Sequence, residues 1–593
     1  MEMEDNMRLV CQVDIFFYSL TPVVDVEFTP KFVRVRSCDL DLEIPPHDFK
    51  FTWYSELPHC SVHHSKMAKL QCVPCVRHNI PVQDSYHCTS GCFADAWPRH
   101  RDSHHHAGET VDWASCDQSQ TNTLIELEDC NHEWFNFESQ SAEKIEGKRW
   151  IMVGTSKTYI PSIVDVGTCL RLTCKAVDSL TGIQMSSERE VMTHAVISAP
   201  VTIPRSFIEI NHVKSTEVFN SEELLTCSGN FSVLSYNILA NLYAFTDRFD
   251  YCPSWAIIWP YRRKKLLQEI TGYNADIICL QEVQSDHFEY FLKPLTECGY
   301  SAVYKKRNNK VYTGKQSVID GCATFYRCNK FREIKSYELE FAKTVKSVVD
   351  NLEENQRSEG TIRLMKDNVA VIVILETVGD DICLGVQSRV CVANTHLLAN
   401  SDYPDVKIFQ VAQLLKGLQT IAQLQIPVIL CGDLNSLPRS DPHKLVVNGK
   451  VGLARKRADP LKICRHLDLH HSMCLASAYS CLLDSVHVKE QDKKTMDSRL
   501  REPHFTHWNK GTRGTLDYIF YQVDKLAVKS LLELFDEETL GDGIPSPVWS
   551  SDHIALMAKF EFRFSSCGHY PQLPSDPWRQ EKALLDIHSS LEK

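Results

Sequence analysis

The chain has 593 residues, which is too long for one hydrophobic core, and one domain per ~150 residues predicts two to four domains. Its 43% hydrophobic and 24% charged residues are typical of a soluble globular protein, and no apolar run approaches the ~20 residues that span a bilayer. The net charge of −12 and the pI near 6.1 argue against indiscriminate binding to phosphate backbones. The acidic start is unlike a secretion signal, so we expect a reducing compartment in which the 24 cysteines are thiols or metal ligands.

The first third of the chain has a β-type texture. Residues 1–58 contain runs such as "FVRVR" and "FKFTWY", and residues 130–205 contain "CLRLTCKAV", followed by the turn signal "AVDSLTG". These short alternating runs predict a small β-sandwich. The stretch from Trp150 to Gly167, "WIMVGTSKTYIPSIVDVG", resembles a small immunoglobulin-like repeat with a Tyr-x-Pro-x-x-x-Asp-x-Gly signature. The Pro-marked stretch Ser198 to Arg205 is interpreted as the linker into a larger domain.

A segment rich in Cys and His, residues 59–115, separates the two β-type regions. Cys72 and Cys75 form one close pair, and Cys88 and Cys92 form a second pair a loop away. Two close pairs of thiolates suit a tetrahedral four-cysteine zinc site, so we predict a structural Zn²⁺ there. The alternative is four buried thiols without a metal. We also hypothesise that this segment is inserted within the sandwich.

The same segment resembles the second half of a MYND-type zinc finger in six residues: Tyr86, Cys88, Cys92, Trp97, His100 and His104. Members of that family usually hold two zinc ions and mostly bind short proline-rich peptides. The middle cysteine pair they use is not apparent in this sequence, so His100 and His104 are interpreted as the remnant of a second zinc site. The resemblance implies a partner-binding module, and a zinc staple without a partner is the alternative.

From about residue 220 to 565 the pattern alternates strands with helices. "FSVLSYNIL", "ADIICLQEV", "RVCVANTHLL" and "IPVILCGDLN" are strand-like, and "PYRRKKLLQEI" has helical spacing. A second helix is predicted after residue 404 from an apolar face made by Ile408, Val411, Leu415, Leu418 and Ala422. The pattern predicts an α/β domain of layered sheets with helices outside. Residues 566–593 are interpreted as a tail.

Seven polar residues interrupt or end the predicted strands at comparable positions: Asn237, Glu282, His396, Asp433, Asn435, Asp517 and His553. Any one of them is explicable as a turn former or a satisfied polar group, but seven are not. Buried carboxylates are costly unless they are paired or bind metal, and carboxylate and amide oxygens suit Mg²⁺. Histidines can donate to phosphate oxygens. This inventory fits metal-assisted hydrolysis of a phosphodiester.

The motifs "SYNIL", "LQEV", "NTHL", "GDLNSLP", "LDYIF" and "SDHIAL", in this order, resemble those of the endonuclease/exonuclease/phosphatase superfamily. That resemblance implies a four-layer α/β/β/α sandwich. More narrowly, "YCPSWAIIWPYRRKKLLQEI", "DGCATFYR", "DVKIFQ" and "PSPVWSSDHIAL" are similar to the carbon catabolite repressor type of poly(A)-specific 3′ exonuclease. The β-plus-zinc front end resembles that of plant homologues, which lack leucine-rich repeats.

The resemblance implies a role for each of the seven polar residues at the strand ends. Glu282 ligates Mg²⁺, with Asn237 close by. Asp433 positions or deprotonates the attacking water. Asn435 and His396 contact the scissile phosphate.

The remaining roles concern charge at the phosphate. His553 stabilises this charge and is oriented by Asp517, while Asp552 is an acid on the metal side. In-line attack by water on the phosphodiester bonds, starting at the 3′ end of the RNA, releases 5′-AMP. Whether one or two ions act is left open by the sequence.

One departure from the family concerns adenine recognition. Animal members carry an aromatic residue five positions before the strand aspartate, where this chain has Thr512. Base stacking is worth ~1–3 kcal/mol, so its loss weakens poly(A) preference more than the chemistry. Trp508, Phe505 and Tyr403 are candidate substitutes.

The alternatives are a scaffold with decayed catalysis and a superfamily phosphodiesterase without adenine specificity. The resemblance implies poly(A) RNA and the other subunits of a carbon catabolite repressor and negative-on-TATA deadenylase complex as partners, the latter through the MYND-like segment, and no membrane. It also implies a location in the cytoplasm, in mRNA processing foci, and in the nucleus. Target mRNAs and oligomeric state stay open.

Overall fold

The structure is a computed structural model. It describes residues 11–37, 44–66, 68–72, 75, 85–100, 124–126, 143–145, 148–210, 225–308, 311–313, 316–378, 388–452, 459–486 and 488–564. The chain divides into two compact units, one of residues 1–203 with 253–264 and one of residues 204–252 with 265–593. Among the described residues, no helix is long and apolar enough to cross a membrane.

Within residues 1–203 of the first unit, the described part of the chain contains ten strands and one longer helix. The strands are β1 (Cys11–Phe16), β2 (Phe32–Ser37), β3 (His47–Glu56), β4 (Leu70–Cys72), β5 (Tyr86–His87), β6 (Leu124–Glu126), β7 (Glu143–Ile145), β8 (Lys148–Gly154), β9 (Cys169–Asp178) and β10 (Arg189–Ala195); the helix is α1 (Ser90–His100). They form a two-stranded sheet β1-β2, a five-stranded sheet β10-β9-β3-β8-β7 and a three-stranded sheet β5-β4-β6. Strand β3 precedes the Cys/His segment and pairs with β8 and β9, which follow it. The Cys/His segment is therefore an insertion into one sheet, as hypothesised.

Two β layers enclose the core of this unit. Cys11 and Val13 of β1 pack with Cys174 and Ala176 of β9, and Trp53 of β3 is fully buried. The turn after β9 is closed by Asp178, whose side chain accepts from the backbone N–H groups of the next turn residues. The alternation of buried and exposed residues along β1 follows from the two-residue period of a strand with one covered face.

The second unit contains nineteen of the named strands. They are β11 (Phe207–Glu209), β12 (Leu225–Asn237), β13 (Ile277–Gln284), β14 (Tyr300–Lys306), β15 (Val311–Thr313), β16 (Gln316–Val318), β17 (Asp320–Arg327), β18 (Phe331–Glu340), β19 (Val369–Thr377), β20 (Arg389–His396), β21 (Val428–Asp433), β22 (Leu475–Ser477), β23 (Met496–Asp497), β24 (Glu502–Pro503), β25 (His507–Asn509), β26 (Thr512–Gly514), β27 (Asp517–Gln522), β28 (Leu526–Leu532) and β29 (Leu556–Phe564).

The remaining helices follow in chain order. They are α2 (Ser254–Ile257), α3 (Trp259–Tyr273), α4 (Phe288–Glu297), α5 (Lys346–Val349), α6 (Glu354–Leu364), α7 (Pro404–Gln423), α8 (Asp441–Asn448), α9 (Cys481–Asp484), α10 (Glu490–Lys493) and α11 (Glu537–Leu540). The helix predicted after residue 404 is α7, and four of its five predicted apolar positions are buried.

Two large sheets form the centre of this unit. Their strand orders are β11-β28-β29-β12-β13-β17-β14 and β18-β19-β20-β21-β27-β22. One apolar cluster joins residues of both sheets, including Val233, Ile277 and Ile429, and so lies between them. A second cluster joins the outer face of the six-stranded sheet to α7 and α8. With Leu266 of α3 and Phe291 of α4 also buried, the predicted four-layer α/β/β/α sandwich is confirmed.

Strand direction brings the polar strand ends to one edge of the sandwich. Strands β12 and β13 are parallel, as are β20 and β21, so their carboxyl ends meet at the same edge. In register, His396 lies beside Asp433, and Asp433 lies beside Asp517, the first residue of the antiparallel β27. Residues distant in sequence thereby share one edge.

Candidate active site

Asn237 lies at the centre of the polar cluster at this edge. Its Nδ2 donates to Glu282 Oε1 at 3.0 Å and to Asp433 Oδ2 at 3.1 Å, and His553 Nε2 lies 3.4 Å away. Asn237 is fully buried at the end of β12, and Ser551 Oγ donates to its carbonyl oxygen. Asn237 therefore ties the two sheets together through its side-chain amide and holds the loop before β29 through its backbone carbonyl.

Glu282 reaches the cluster through an irregularity in β13. The pairing of β13 with β17 shifts register between Leu280 and Val283, and Glu282 has a φ of 60°. A β-bulge re-aims a side chain, and such backbone conformations persist chiefly where function requires them. The backbone N–H of Ala240 donates to Glu282 Oε2 at 2.8 Å.

The turn after β21 positions Asp433 and Asn435. Gly432 has a φ of 134°, and a Cβ there would lie 1.9 Å from the carbonyl oxygen of Thr395, so only glycine permits this approach of β20 and β21. The backbone N–H of Asn435 donates to Asp433 Oδ1 at 2.8 Å. Burial and the neighbouring Asp517 raise the pKa of Asp433 to about 7. A carboxyl group of this pKa can accept a proton near neutral pH.

His553 and Asp517 form a buried pair. His553 Nδ1 lies 2.7 Å from Asp517 Oδ2, which also accepts from Thr506 Oγ1 at 2.6 Å. Burial lowers the pKa of His553, but Asp517, Asp433 and Asp552 outweigh it and raise the pKa to about 10. The imidazole is therefore a cation at neutral pH, with its Nε2 3.8 Å from Asp433 Oδ2.

Asp552 is held by two residues that sequence reasoning missed. Its Oδ2 lies 3.3 Å from His507 Nε2 and 3.2 Å from Arg248 Nη2. Burial opposes ionisation of Asp552, but His507, His553 and Arg248 hold its pKa below the usual range. Asp552 is therefore a permanent carboxylate beside the cationic His553.

His396 is oriented by Arg307, another residue that sequence reasoning missed. Arg307 Nη2 lies 3.1 Å from His396 Nδ1, and Arg307 Nε lies 3.3 Å from Asp320 Oδ2. A guanidinium can only donate, so Nδ1 accepts and the ring proton lies on Nε2. Burial, Arg307 and His553 lower the pKa of His396 well below 6.5, so the ring is neutral. Its Nε2 lies 3.0 Å from Asn435 Nδ2, which is also a donor, so in this tautomer that contact is not a hydrogen bond, and the nearby acceptor for the Nε2 proton is Asp433 Oδ2 at 3.5 Å.

Three buried carboxylates create the electrostatic demand for a cation. Burial raises the pKa of Glu282, and the charges of Asp552 and Asp320 raise it further. Burial also raises the pKa of Asp320. Hard oxygen ligands with excess negative charge fit a divalent cation, so the residues present suit a metal on the Glu282 side of the cluster. Asp320 is the first residue of β17 and of the "DGCATFYR" motif, and its position at the start of a buried strand was the available signal.

The predicted four-cysteine zinc site is wrong in its grouping. The structure places Cys88 and Cys92 with Cys60 and His63, and it places Cys72 and Cys75 with His100. Two pairs that are adjacent in sequence therefore belong to different groups, interleaved along the chain. The Cys60-x-x-His63 spacing was the missed signal. His104 lies outside the described residues.

The distances in the first Cys/His group match a tetrahedral metal site. Cys60 Sγ and Cys92 Sγ are 3.5 Å apart, and His63 Nδ1 lies 3.4 Å from both Cys88 Sγ and Cys92 Sγ. Zinc bonds of about 2.3 Å to sulfur and 2.0 Å to nitrogen require ligand separations of about 3.5–3.8 Å. Burial opposes ionisation of Cys60, but the backbone N–H groups of His63 and Val62 lower its pKa to about 6. In the second group, Cys75 Sγ lies 3.2 Å from His100 Nε2.

The fold and the buried acid, amide and histidine cluster define a phosphoester hydrolase of one known class. The Endonuclease/Exonuclease/phosphatase family matches residues 234–553, and the chain belongs to this family. Within it, the chain is a carbon catabolite repressor protein 4 homologue of the nuclease type. "Carbon catabolite repressor protein 4 homolog 1" from Arabidopsis thaliana is 39% identical over 585 residues, covering 94% of this chain and 97% of the relative.

Two further relatives extend the comparison. The "CCR4-Not complex 3'-5'-exoribonuclease subunit Ccr4" of Saccharomyces cerevisiae is 30% identical over 398 residues, which cover 62% of this chain and 44% of that protein. A crystal structure of ANGEL2, described as a 2',3'-cyclic phosphatase, is 26% identical and covers 61% of this chain and 99% of its own, with a TM-score of 0.46.

Proposed function

We propose that the protein is a Mg²⁺-dependent 3′-to-5′ exoribonuclease that shortens poly(A) tails and releases 5′-AMP. One observation carries this proposal: a buried carboxyl group of pKa about 7, Asp433, and a buried cation, His553, both lie against the side-chain amide of Asn237. The name of the yeast relative, a 3'-5'-exoribonuclease subunit, supports the direction of attack.

Glu282, Asp320, Asp552 and the oxygen of Asn237 are the residues that would hold Mg²⁺. When bound, the ion supplies charge neutralisation at the phosphate. The chain's own residues do the rest. Asp433 accepts the proton of the attacking water, and the cationic His553 stabilises the negative charge of the phosphate. Asn435 donates to a phosphate oxygen from Nδ2.

His396 is proposed to donate a hydrogen bond from its Nε2–H to the phosphate. Arg307 is proposed to hold the ring in the tautomer that carries the proton on Nε2. Replacing Arg307 by lysine preserves the charge beside Asp320 but removes the fork that reaches Nδ1. We expect kcat for tail removal to fall about 10–100-fold with little change in KM, because partners behind a binding residue typically have effects of this size. The check is steady-state kinetics with a thermal melt beside it. A KM effect alone would contradict the positioning role.

Adenine preference is proposed to be weaker than in animal members. Thr512 is exposed in β26, and two of the candidate substitutes, Phe505 and Trp508, are buried in one apolar cluster. The third, Tyr403, packs under the cations of Arg363 and Lys366 at 4.6 and 4.9 Å. None of the three therefore presents a freely exposed ring for a base.

The deciding experiment is digestion of RNAs that share a body and differ in a 3′ tail of A, C or U residues. We expect Mg²⁺-dependent removal of the A tail, with an advantage over C and U of less than about 100-fold, because one stacked base is worth ~1–3 kcal/mol. Equal trimming of all tails would retain the nuclease and remove the specificity. An intact A tail with retained partner capture would favour the scaffold alternative.

The two Cys/His groups are proposed to bind one structural Zn²⁺ each. We further propose that the segment they hold docks other subunits of a deadenylase complex in the cytoplasm, with a nuclear pool. The name of the yeast relative, a subunit of the CCR4-Not complex, supports this. A zinc staple without a partner is the alternative, and loss of subunit capture after Cys60→Ser would distinguish the two.

A further inference from the structure

The first unit carries a pair of exposed aromatic rings on the outward face of β1 and β2. Phe16 and Phe32 oppose each other in the strand register. Their ring centroids are 5.1 Å apart and the rings are inclined by only 11°, which is a stacked pair. They are 45% and 40% exposed, respectively. Tyr18 extends the group edge-on to Phe16 at 6.5 Å and is 59% exposed.

These rings make no contribution to the core. The alternate residues Val13, Ile15, Val33 and Val35 face inward and pack against the five-stranded sheet. The strand period therefore directs Phe16 and Phe32 to the opposite face. Exposed aromatic clusters of this kind mark interaction sites more often than chance positions.

Cations surround the rings. Lys31 Nζ lies 3.7 Å from the centroid of Tyr18 and 6.0 Å from that of Phe16, and Arg34 lies 5.7 Å from that of Phe32. Arg36 lies on the same face, and Arg34 and Arg36 share one carboxylate, Asp14. Among these four charged residues the cations outnumber the carboxylate, in a chain whose net charge is −12. The aromatic face thus has a local charge opposite to that of the whole protein.

We propose that the aromatic face of β1 and β2 binds single-stranded RNA, with bases stacking on Phe16 and Phe32 and with Lys31, Arg34 and Arg36 meeting phosphates. Stacked rings bordered by Lys and Arg are the elements that bind single strands without sequence preference. A duplex hides the faces of its bases, so it cannot use the rings. The positive charge and the π faces together favour RNA over a peptide. The choice of RNA rests on the proposed function, but the binding is measured without catalysis.

The test uses the full chain carrying Asp433→Asn, so that RNA is held and not cut. The affinity for a fluorescent 25-residue oligo(A) is measured by anisotropy before and after Phe16→Ala with Phe32→Ala. We expect the Kd to rise about tenfold or more, and Phe16→Tyr with Phe32→Tyr to preserve it, because the rings remain. Leu180→Ala, which removes a side chain that is 89% exposed on another turn of the same unit, is the matched control and leaves Kd unchanged.

Two further readouts separate RNA binding from other occupants. Lys31→Gln should make the slope of log K against log salt concentration shallower, by the amount that corresponds to about one phosphate contact. Hydrolysis of a five-residue oligo(A) by the protein with Asp433 intact should be unaffected by the Phe16/Phe32 alanine pair. An unchanged Kd in this pair, equal competition by duplex, or ring-dependent capture of a proline-rich peptide with RNA binding intact would each overturn the proposal. If RNA binding depends on the rings but the protein with Asp433 intact trims no tail, the proposed function is overturned and the RNA-binding proposal stands.

Discussion

Asp433→Asn lowers the rate of tail removal by an expected factor of about 10²–10⁴, because an amide cannot accept the proton of the attacking water. The substitution keeps the shape of the side chain, and its single oxygen can keep one of the two hydrogen bonds to Asp433, either that from the backbone N–H of Asn435 to Oδ1 or that from Asn237 Nδ2 to Oδ2. The measurement is single-turnover digestion of an A-tailed RNA with saturating Mg²⁺. Glu282→Gln is expected to produce a loss of similar size by weakening the metal site.

Stability provides the control for this prediction. The pKa of Asp433 is raised in the folded chain, so ionising it costs folding free energy as the pH rises from the ordinary aspartate range through about 7. Without added Mg²⁺, Asp433→Asn should therefore melt at the same or a higher temperature than the parent above pH 7. Asp286→Asn, a largely exposed carboxylate just beyond β13, should change neither rate nor melting. A variant of Asp433 that keeps a tenth of the activity would exclude Asp433 as the base.

The second large effect concerns zinc content. Two interleaved groups predict two Zn²⁺ per chain, with Cys60→Ser and Cys72→Ser each reducing the content to about one. Binding energies of structural zinc are about 10–16 kcal/mol in small fingers, so either loss should also unfold the inserted segment. Elemental analysis of the purified chain gives the metal count, and limited proteolysis reports the unfolding.

Cys60 separates this arrangement from a single site of Cys72, Cys75, Cys88 and Cys92. A single four-cysteine site predicts that Cys60→Ser leaves the zinc content unchanged. Cys298→Ser, an exposed cysteine of the second unit, is the matched control for thiol loss. Both zinc variants should retain hydrolysis of short oligo(A), because the catalytic cluster belongs to the other unit.

The polar residues of the candidate active site could be found from the sequence because they follow or interrupt apolar strands. A buried strand is visible as an apolar run, and chemistry collects at the carboxyl ends of such strands in layered sheets. Asn237, His396 and Asp433 were identified in this way, and the structure brings them together with Glu282, Asn435, Asp517, Asp552 and His553. The bulge that turns Glu282 inward has no local signature, since it results from pairing with β17.

The residues that support the cluster were not accessible to the same reasoning. Arg307 lies in a basic stretch that fits a solvated loop equally well, and its contacts with His396 and Asp320 join three separate elements. His507 and Arg248 approach Asp552 from still other parts of the chain. Their roles depend on tertiary proximity, which spacing along the chain does not encode.

The sequence by itself determined the layered α/β class, the family and the polar residues at the strand ends, because hydrophobic periodicity and motif order are local properties. Only the tertiary structure decided how the cysteines divide between the two Cys/His groups. A close pair such as Cys72 with Cys75 can share a site with any ligand residues that the fold brings near, and here that residue is His100 rather than Cys88 and Cys92. It also decided the protonation of the catalytic groups. Burial and the charge of Asp517 raise the pKa of Asp433, which favours its neutral acid, and the surrounding carboxylates raise the pKa of His553, which favours its cation; both shifts are consequences of packing.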